Sequence, residues 1–264
     1  MNRHGSISKM SSAVTAAPEW PGKLVKSATK PFVSILTPTY NRRKFLPYLI
    51  AAIKDQTYPK ERMEWVVFDD GSDSIEDLLS AEFRTMNIQY IRSETKLSIG
   101  AKRNRLHDAA RGEILVCMDD DDYYPPDRVN HAVMTLVSRK ADLAGSTRNH
   151  VFFPDDGSIW ETGPYGANHG TFGTMAFTKA YVRANRCDES RAYAEEIEFT
   201  RKYSVPLVQL DPLKVMLVVA HDGNTFNKSK LRTDGNKLIR PTGLKLNNFV
   251  RNKVIRDFYK GLTL

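Results

Sequence analysis

The sequence predicts an α/β fold built on a mainly parallel, Rossmann-like sheet. Four short apolar runs, rich in β-branched residues, have the length and composition of buried strands; they lie at residues 32–36, 65–68, 88–91 and 114–118. Segments with helical spacing or helix-ending signals come after each of these runs or between them, at residues 45–53, 75–83, 99–110 and 127–140. Apolar strands that alternate with helices indicate a parallel sheet covered on both faces.

The chain after residue 141 has a different texture. Short β-like pieces alternate with aromatic residues and glycines, so we expect a less regular half over the sheet. This half should contain a helix over 193–203 and a strand over 215–220, and an amphipathic helix over 247–259 should end the chain. We therefore expect a disordered basic tail at 1–30 and one domain at 31–264, divided into segments 31–140, 141–246 and 247–264.

The formal net charge of +8 is concentrated at the two ends of the chain. Counting Lys and Arg against Asp and Glu gives +4 for residues 1–30, −3 for 31–221 and +7 for 222–264. A nucleic-acid groove needs basic side chains spread over a folded face, and the sequence has no recognisable nucleic-acid motif, so we expect no nucleic-acid partner. The basic ends would instead aid solubility or contact an anionic membrane surface.

Composition also suggests where the protein works. The two cysteines, Cys117 and Cys187, have a spacing typical neither of a disulfide framework nor of a metal site. No apolar run reaches the roughly 20 residues that span a bilayer. Residues 1–30 lack the apolar core of a secretory signal. We expect a cytoplasmic protein that is at most peripheral to a membrane.

Four carboxylates in a row, Asp119 to Asp122, directly follow a predicted buried strand. One interpretation is a solvated acidic loop. Adjacent carboxylates repel one another unless protons or a cation relieve them, and the following Tyr-Tyr-Pro-Pro segment should hold the loop stiffly. Hard oxygen ligands at a strand end suit Mg²⁺ or Mn²⁺, commonly shared with a diphosphate, and we favour this second interpretation.

Two other predicted strands also end in polar residues. Residues 69–72, Asp-Asp-Gly-Ser, could cap the following helix or could present one carboxylate to a nucleotide base. Residues 38–41, Pro-Thr-Tyr-Asn, have the composition of a turn. Ligands of parallel sheets bind beyond the carboxyl ends of the strands, so these segments and the aspartate run should share one site.

Three segments in this order resemble the family 2 glycosyltransferases, which have the GT-A fold. They are VSILTPTYN at 33–41, VFDDGS at 67–72, and GEI at 112–114 running into the aspartates; the similarity covers residues 31–140. The resemblance implies a single GT-A domain in which 31–140 binds a nucleotide sugar and 141–246 binds the acceptor. It implies transfer of a sugar from a nucleotide diphosphate, UDP above all, to a hydroxyl of a glycan, glycoprotein or glycolipid, with inversion.

The same resemblance implies roles for particular residues. The uridine would be held by Asp70 and by the turn of Thr37, Pro38, Thr39 and Tyr40. The basic stretch that contacts the donor would be Lys102, Arg103 and Asn104. Asp121 would bind Mn²⁺ or Mg²⁺, while Asp119 and Asp120 face the ribose or complete the metal site; four aspartates in a row leave the register open by one residue. A late histidine on the metal is known in this fold, and His221 matches it, although a lone histidine is more often a structural hydrogen-bonding residue.

The family's catalytic base is usually the second residue of a Glu-Asp pair at the start of a late helix. Glu195 and Glu196 occupy that place here, and the departure from Asp to Glu leaves both as candidates. Glu196 shares a helical face with Phe199 and should turn toward the cleft, whereas Glu195 should face solvent or a neighbouring loop. The alternative is an exposed acidic first turn favoured by the helix dipole.

Two other functions stay open on the sequence alone. A sugar-nucleotide nucleotidyltransferase would also combine an α/β sheet with a metal and a nucleotide. It should carry a Gly-rich phosphate loop after its first strand, and residues 37–43 contain no glycine. A non-catalytic nucleotide-sugar-binding module would keep the metal site without needing a base.

Overall fold

The computed structural model describes residues 30–190, 193–233 and 235–264. Its strands are β1 (Val33–Thr39), β2 (Met63–Asp69), β3 (Ile88–Arg92), β4 (Ile114–Cys117), β5 (Leu143–Gly145), β6 (Asn149–Phe153), β7 (Ser158–Thr162), β8 (Ala176–Thr178), β9 (Val208–Gln209), β10 (Leu217–Val219) and β11 (Ile239–Pro241). Its α-helices are α1 (Leu46–Lys54), α2 (Glu76–Ser80), α3 (Ile99–Ala109), α4 (Arg128–Arg139), α5 (Lys179–Ala184), α6 (Glu196–Phe199), α7 (Pro212–Val215), α8 (Leu246–Phe249) and α9 (Lys253–Lys260). The tail predicted for residues 1–30 lies, apart from Lys30, outside the described residues.

The main sheet has seven strands in the order β3-β2-β1-β4-β8-β5-β9. β1 to β4 are parallel to one another, which confirms the four strands and the parallel core predicted for residues 31–118. β8 is antiparallel to its neighbours β4 and β5. Because β1 lies between β2 and β4, the carboxyl ends of these three strands meet at one edge of the sheet.

Apolar residues on both faces of this sheet are buried, as the continuous apolar strands require. Along β2, Trp65 and Val67 pack into one core with α1 and α4. The intervening Val66 and Phe68 pack into a second core on the opposite face, which includes Leu106 of α3. The sheet therefore lies between two apolar layers.

The second half of the chain is more regular than its texture predicts. It adds β5, β8 and β9 to the main sheet and forms a second sheet with the order β10-β6-β7-β11. α8 and α9 pack against this second sheet through a third apolar cluster that includes Phe249 and Tyr259. None of the helices in the described residues is both long and apolar enough to cross a membrane.

The helix predicted over 75–83 ends early, at Ser80, and two predicted helices of the second half are also wrong in extent. The helix expected over 193–203 is only the single turn α6, because the Thr200 hydroxyl donates to the carbonyl of Glu196 at 2.7 Å and accepts the N–H of Tyr203 at 3.1 Å. Residues 201–203 then adopt the left-handed conformation, with φ between 50° and 59°. The helix expected over 247–259 is broken between α8 and α9, because the Asn252 side chain caps a new helix at the N–H of Val254, 2.9 Å away.

Candidate active site

A cleft of about 870 Å³ opens at the carboxyl edge of the central strands. Its floor comes from the turn after β1 and from the aspartate run after β4, and α3 provides one wall. The residues that line it include Pro38, Thr39, Tyr40, Arg42, Lys102, Arg103, Asp119, Asp120, Asp121, Asp122, Glu195 and Lys228. The sheet topology therefore brings most of the sequence-predicted residues to one place.

A smaller cavity of about 310 Å³ adjoins this cleft. The two cavities share a wall that includes Arg103, Asp119, Glu195 and Lys228. Beyond this wall the second cavity is lined by residues of the second sheet, such as Asn149 and Thr162, and by Glu196. The site thus has two adjoining parts. We call the larger one the long cleft and the smaller one the side chamber, and we call their shared wall, with Arg103, Asp119, Glu195 and Lys228, the partition.

The two carboxylates after β2 have different surroundings. Asp69 is buried and accepts hydrogen bonds from the Gly71 N–H at 2.9 Å and from the Tyr90 hydroxyl at 2.7 Å, so it builds the turn that precedes α2. Asp70 is also buried, and it accepts hydrogen bonds from Lys102 Nζ at 2.9 Å and from the Leu97 N–H at 2.7 Å. Asp69 therefore serves the turn, and the contact of Asp70 with a nucleotide base stays a prediction. Asp70 lies behind the cleft wall that Lys102 and Leu97 form.

Arg103 is the centre of the partition between the two cavities. Its guanidinium donates to both oxygens of Asp119, at 2.6 and 3.2 Å, and to Glu195 Oε1 at 3.2 Å. The side chain is 4% exposed, so the charge is almost wholly withdrawn from water. Burial alone would lower the pKa of Arg103, but the charges of Asp119 and Glu195 raise it well above its ordinary value. This ion-paired group is therefore permanently charged.

The four aspartates do not form a solvated loop. Asp122 is buried and accepts the N–H of Val219 from β10 at 3.0 Å, while Asp119 is bound by Arg103. Burial and the neighbouring charge of Asp121 raise the pKa of both Asp120 and Asp122. Buried Tyr124 and the second sheet thus hold the run against the protein, as the stiff Tyr-Tyr-Pro-Pro segment predicts. The solvated-loop interpretation is wrong.

Asp121 is the aspartate that meets a histidine. Its Oδ2 lies 3.0 Å from His221 Nε2, and the guanidinium Nε of Arg42 lies 3.6 Å from the same oxygen. Burial alone would raise the pKa of Asp121, but the hydrogen bond with His221 and the charges of Lys228 and Arg42 bring it below its ordinary value. Asp121 therefore lines the cleft with a lowered pKa and has a histidine nitrogen beside it.

The donor set tests which metal site the residues can form. Within the described parts of the chain, no three His, Cys, Asp or Glu side chains are grouped to hold an ion by themselves. Asp121 and His221 do fit as two protein ligands of a divalent cation whose remaining positions are filled by phosphate and water oxygens. The Asp119 carboxylate is bound by Arg103, and its place on the metal stays a prediction.

Glu195 and Glu196 lie at the start of α6 and differ in what they contact. Glu195 is buried and paired with Arg103, which corrects the prediction that it faces solvent or a neighbouring loop. The Glu196 carboxyl lines the side chamber, and no charged group lies within ion-pair distance of it in the described residues. Burial and the charge of Glu195 raise the pKa of Glu196 to about 7. A carboxyl with this pKa can accept a proton near neutral pH.

Comparison with known proteins decides the family. The sequence model of "Glycosyl transferase family 2" matches residues 34–198, which is more than half of the chain. The chain belongs to this family. The membership confirms the resemblance seen in the sequence motifs, and it sets aside the nucleotidyltransferase alternative.

Curated relatives of this family 2 chain are distant. Glycosyltransferase AglE of Haloferax volcanii is 28% identical over 137 residues, which are 51% of this chain and 45% of that protein. The poly(ribitol-phosphate) β-N-acetylglucosaminyltransferase TarS of Staphylococcus aureus is 29% identical over 112 residues, which are 42% of this chain and 20% of that protein. The chain thus spans less than half the length of these two relatives.

Solved structures support the fold of this family 2 chain. TarS residues 1–349 in complex with UDP-GlcNAc superpose with a TM-score of 0.59 at 19% identity, covering 73% of this chain and 59% of that one. The mannosyltransferase PcManGT of Pyrobaculum calidifontis, in complex with GDP-Man and Mn²⁺, superposes with a TM-score of 0.60 at 18% identity, covering 84% and 64%. The predicted GT-A fold is confirmed.

Two residues of the predicted nucleotide site lie elsewhere in this family 2 chain. Thr37 is inside the sheet, where its hydroxyl donates to the Met118 carbonyl at 2.7 Å and accepts from Trp65 Nε1 at 2.9 Å. Asn104 faces away from the cleft and binds both the N–H and the carbonyl of Cys187, each at 3.0 Å. Both side chains are saturated by these bonds, so they position the walls and do not contact a ligand.

Sequence reasoning missed several residues that line the cleft, among them Arg42, Phe226 and Lys228. Arg42 directly follows the turn motif and could have been noticed as the cation beside it. Phe226 and Lys228 line both cavities from a loop after His221, and Phe226 is 53% exposed. No local sequence pattern predicts the positions of Phe226 and Lys228, because these positions depend on how β10 packs against β6.

Proposed function

We propose that the protein transfers a sugar from a nucleoside diphosphate donor to a hydroxyl acceptor with inversion at the anomeric carbon. The main support is the pair of adjoining cavities: Asp121, which lies beside His221, lines one, and Glu196, which has no ion-pair partner among the described residues, lines the other. A donor in the long cleft and an acceptor in the side chamber would meet at the Arg103 partition. Such placement on opposite sides of the reacting carbon is what an in-line displacement needs.

The long cleft is the proposed donor site. Tyr40, Thr39 and Pro38 would flank the nucleoside, and Lys102 would present its charge from the wall where Asp70 holds it. UDP is the proposed nucleotide, and TarS, which is similar in fold, was solved with UDP-GlcNAc. PcManGT was solved with GDP-Man, so UDP and GDP sugars are the first donors to compare.

Asp121 and His221 are the proposed ligands of Mn²⁺ or Mg²⁺, with Asp120 beside them. A divalent cation bound there with the donor diphosphate would neutralise the charge that develops on the leaving group. Lys228, which lines both cavities, is placed to add a further positive charge. Arg103 would keep Asp119 and Glu195 fixed while the leaving group departs, because both carboxylates are bound to it.

Glu196 is the proposed general base. Its carboxylate would accept the proton of the acceptor hydroxyl as that oxygen attacks the anomeric carbon. The acceptor itself is proposed only by class, as a hydroxyl of a glycan, glycoprotein or glycolipid. Relatives named for poly(ribitol-phosphate), teichuronic acid and colanic acid make polymeric glycans the first acceptors to try.

The test is a panel of nucleotide sugars incubated with the protein and Mn²⁺, with release of the nucleoside diphosphate as the readout. We expect release from UDP sugars that stops in excess EDTA and is increased by an acceptor glycan. Binding of donors without any release, with and without acceptors, would favour a non-catalytic nucleotide-sugar-binding module. Failure of every donor to bind would refute the proposed function.

A further inference from the structure

Arg42 and Arg43 are adjacent in the sequence, but their side chains point in different directions. Arg43 is directed outward, where it donates to Asp73 at 2.9 and 3.0 Å and to Asp77 at 2.8 and 2.9 Å. Arg42 enters the cleft, and its Nε lies 3.6 Å from Asp121 Oδ2 and 4.0 Å from Asp120 Oδ1. Its side chain is 21% exposed, so water screens this contact only in part. The chain therefore supplies a cation of its own to the carboxylates proposed to bind a divalent ion.

The same guanidinium also holds the turn after His221. Arg42 Nη2 donates to the carbonyl oxygen of Gly223. A Cβ at residue 223 would lie 2.6 Å from Arg42 Nη1, so a residue other than glycine would displace the arginine. Arg42 thus ties the aspartate run to the turn that carries His221.

The turn contacts both ring nitrogens of His221. The Gly223 N–H donates to Nδ1 at 3.1 Å, whereas Nε2 lies 3.0 Å from Asp121 Oδ2, which can only accept, and 2.9 Å from the Asn224 side-chain nitrogen, which can only donate. A histidine that binds a cation through Nε2 needs its hydrogen on Nδ1, where the Gly223 N–H now points. The Gly223 N–H and a hydrogen on Nδ1 would then oppose each other, and the turn at residue 223 has to move.

We propose that Arg42 is a positioning residue that competes with the divalent cation for Asp121 and, through Gly223, links cation binding to movement of the 221–228 loop. The inference rests on the proposed Asp121–His221 cation site. Two positive groups share one carboxylate oxygen unfavourably, so Arg42 has to leave Asp121 when the cation arrives. Its departure releases the Gly223 carbonyl and frees the loop that carries Lys228 to the partition.

Direct titration of Mn²⁺ tests this inference, with free Mn²⁺ followed by electron paramagnetic resonance, without nucleotide and with saturating UDP. Arg42→Gln removes the competing charge, and we expect it to tighten Mn²⁺ binding on the order of tenfold. Arg42→Lys keeps the charge and should bind Mn²⁺ as weakly as the wild type. Arg43→Gln is the matched control, since it removes a neighbouring charge outside the cleft, and it should leave the affinity unchanged.

Unchanged or weaker Mn²⁺ binding in Arg42→Gln, with normal binding in the wild type, would overturn the inference and leave the proposed function standing. Weaker binding would show that Arg42 helps to build the site. Asp121→Ala distinguishes failure of the proposed cation site from failure of the role proposed for Arg42. If the wild type binds Mn²⁺ no better than Asp121→Ala, the proposed cation site fails and the inference fails with it. Thermal unfolding of each variant checks that the fold is retained.

Discussion

Replacing Glu196 with Gln keeps the shape of a side chain in the side chamber and removes its ability to accept a proton. Removing a positioned general base typically lowers the rate on the order of 10²–10⁴-fold, or about 2.7–5.4 kcal/mol in activation free energy. Donor binding should be retained, because Glu196 lies across the Arg103 partition from the long cleft. We therefore expect a large fall in kcat with little change in the KM for the donor.

The pH dependence gives this prediction a second, quantitative form. Burial and the charge of Glu195 raise the pKa of Glu196 to about 7, from an ordinary value of 4.5. A raised pKa leaves the carboxyl protonated, and unable to act as a base, below neutral pH. The ionised fraction should rise from about a tenth at pH 6 to about nine-tenths at pH 8, so kcat should rise roughly tenfold over that interval. The residual activity of Glu196→Gln should lack this step.

Two variants on the same short helix serve as controls, with sugar transfer measured from initial rates. Glu198→Gln changes an exposed carboxylate two residues away and should leave transfer unchanged. Glu195→Gln removes a partner of Arg103 and one cause of the raised pKa of Glu196, so it should move the pH step to lower pH without removing it. The reasoning is refuted if Glu196→Gln transfers normally. If Glu196→Gln is active and Glu195→Gln is inactive, the general base is Glu195.

Two further predictions concern the nucleotide wall and the N-terminal end. Asp70→Asn should weaken UDP binding by about tenfold in calorimetry, because it removes the charge that holds Lys102 at the cleft wall. The control Asp73→Asn should leave the UDP affinity unchanged. Unchanged affinity in Asp70→Asn would mean that the Asp70–Lys102 pair serves only the fold. Removal of residues 1–29 should leave turnover on a water-soluble acceptor unchanged, because the residues to which we assign the chemistry all come after residue 37; loss of turnover would contradict this, and unchanged binding to anionic vesicles would exclude the removed segment as the membrane contact.

The parts of the site that follow strand ends could be predicted from the sequence. Apolar β-branched runs identify β1, β2 and β4, and parallel pairing then brings Tyr40 and Asp121 to one edge. The local sequence is sufficient to predict these positions, because a polar residue at the end of a strand is positioned by the strand itself.

The contacts between distant segments could not be predicted in this way. A helical wheel places Glu195 away from Phe199, toward solvent or a neighbouring loop, but in the structure it pairs with Arg103, 92 positions earlier. Thr37 and Asn104 belong to motif stretches, yet their bonds to Trp65 and Cys187 depend on how the sheet and α3 pack. The early end of α6 likewise depends on the Thr200 hydroxyl, which competes with the helix backbone.

The central claim is that the long cleft binds a nucleoside diphosphate together with a divalent cation at Asp121. Calorimetric titration of UDP, with and without Mn²⁺, into the wild type and into Asp121→Ala tests it most directly. The account predicts that Mn²⁺ tightens UDP binding at least about tenfold in the wild type and not in the variant, since only the wild type keeps the carboxylate that pairs with His221. Equal UDP affinity in all four titrations, or equal enhancement by Mn²⁺ in both proteins, would contradict it.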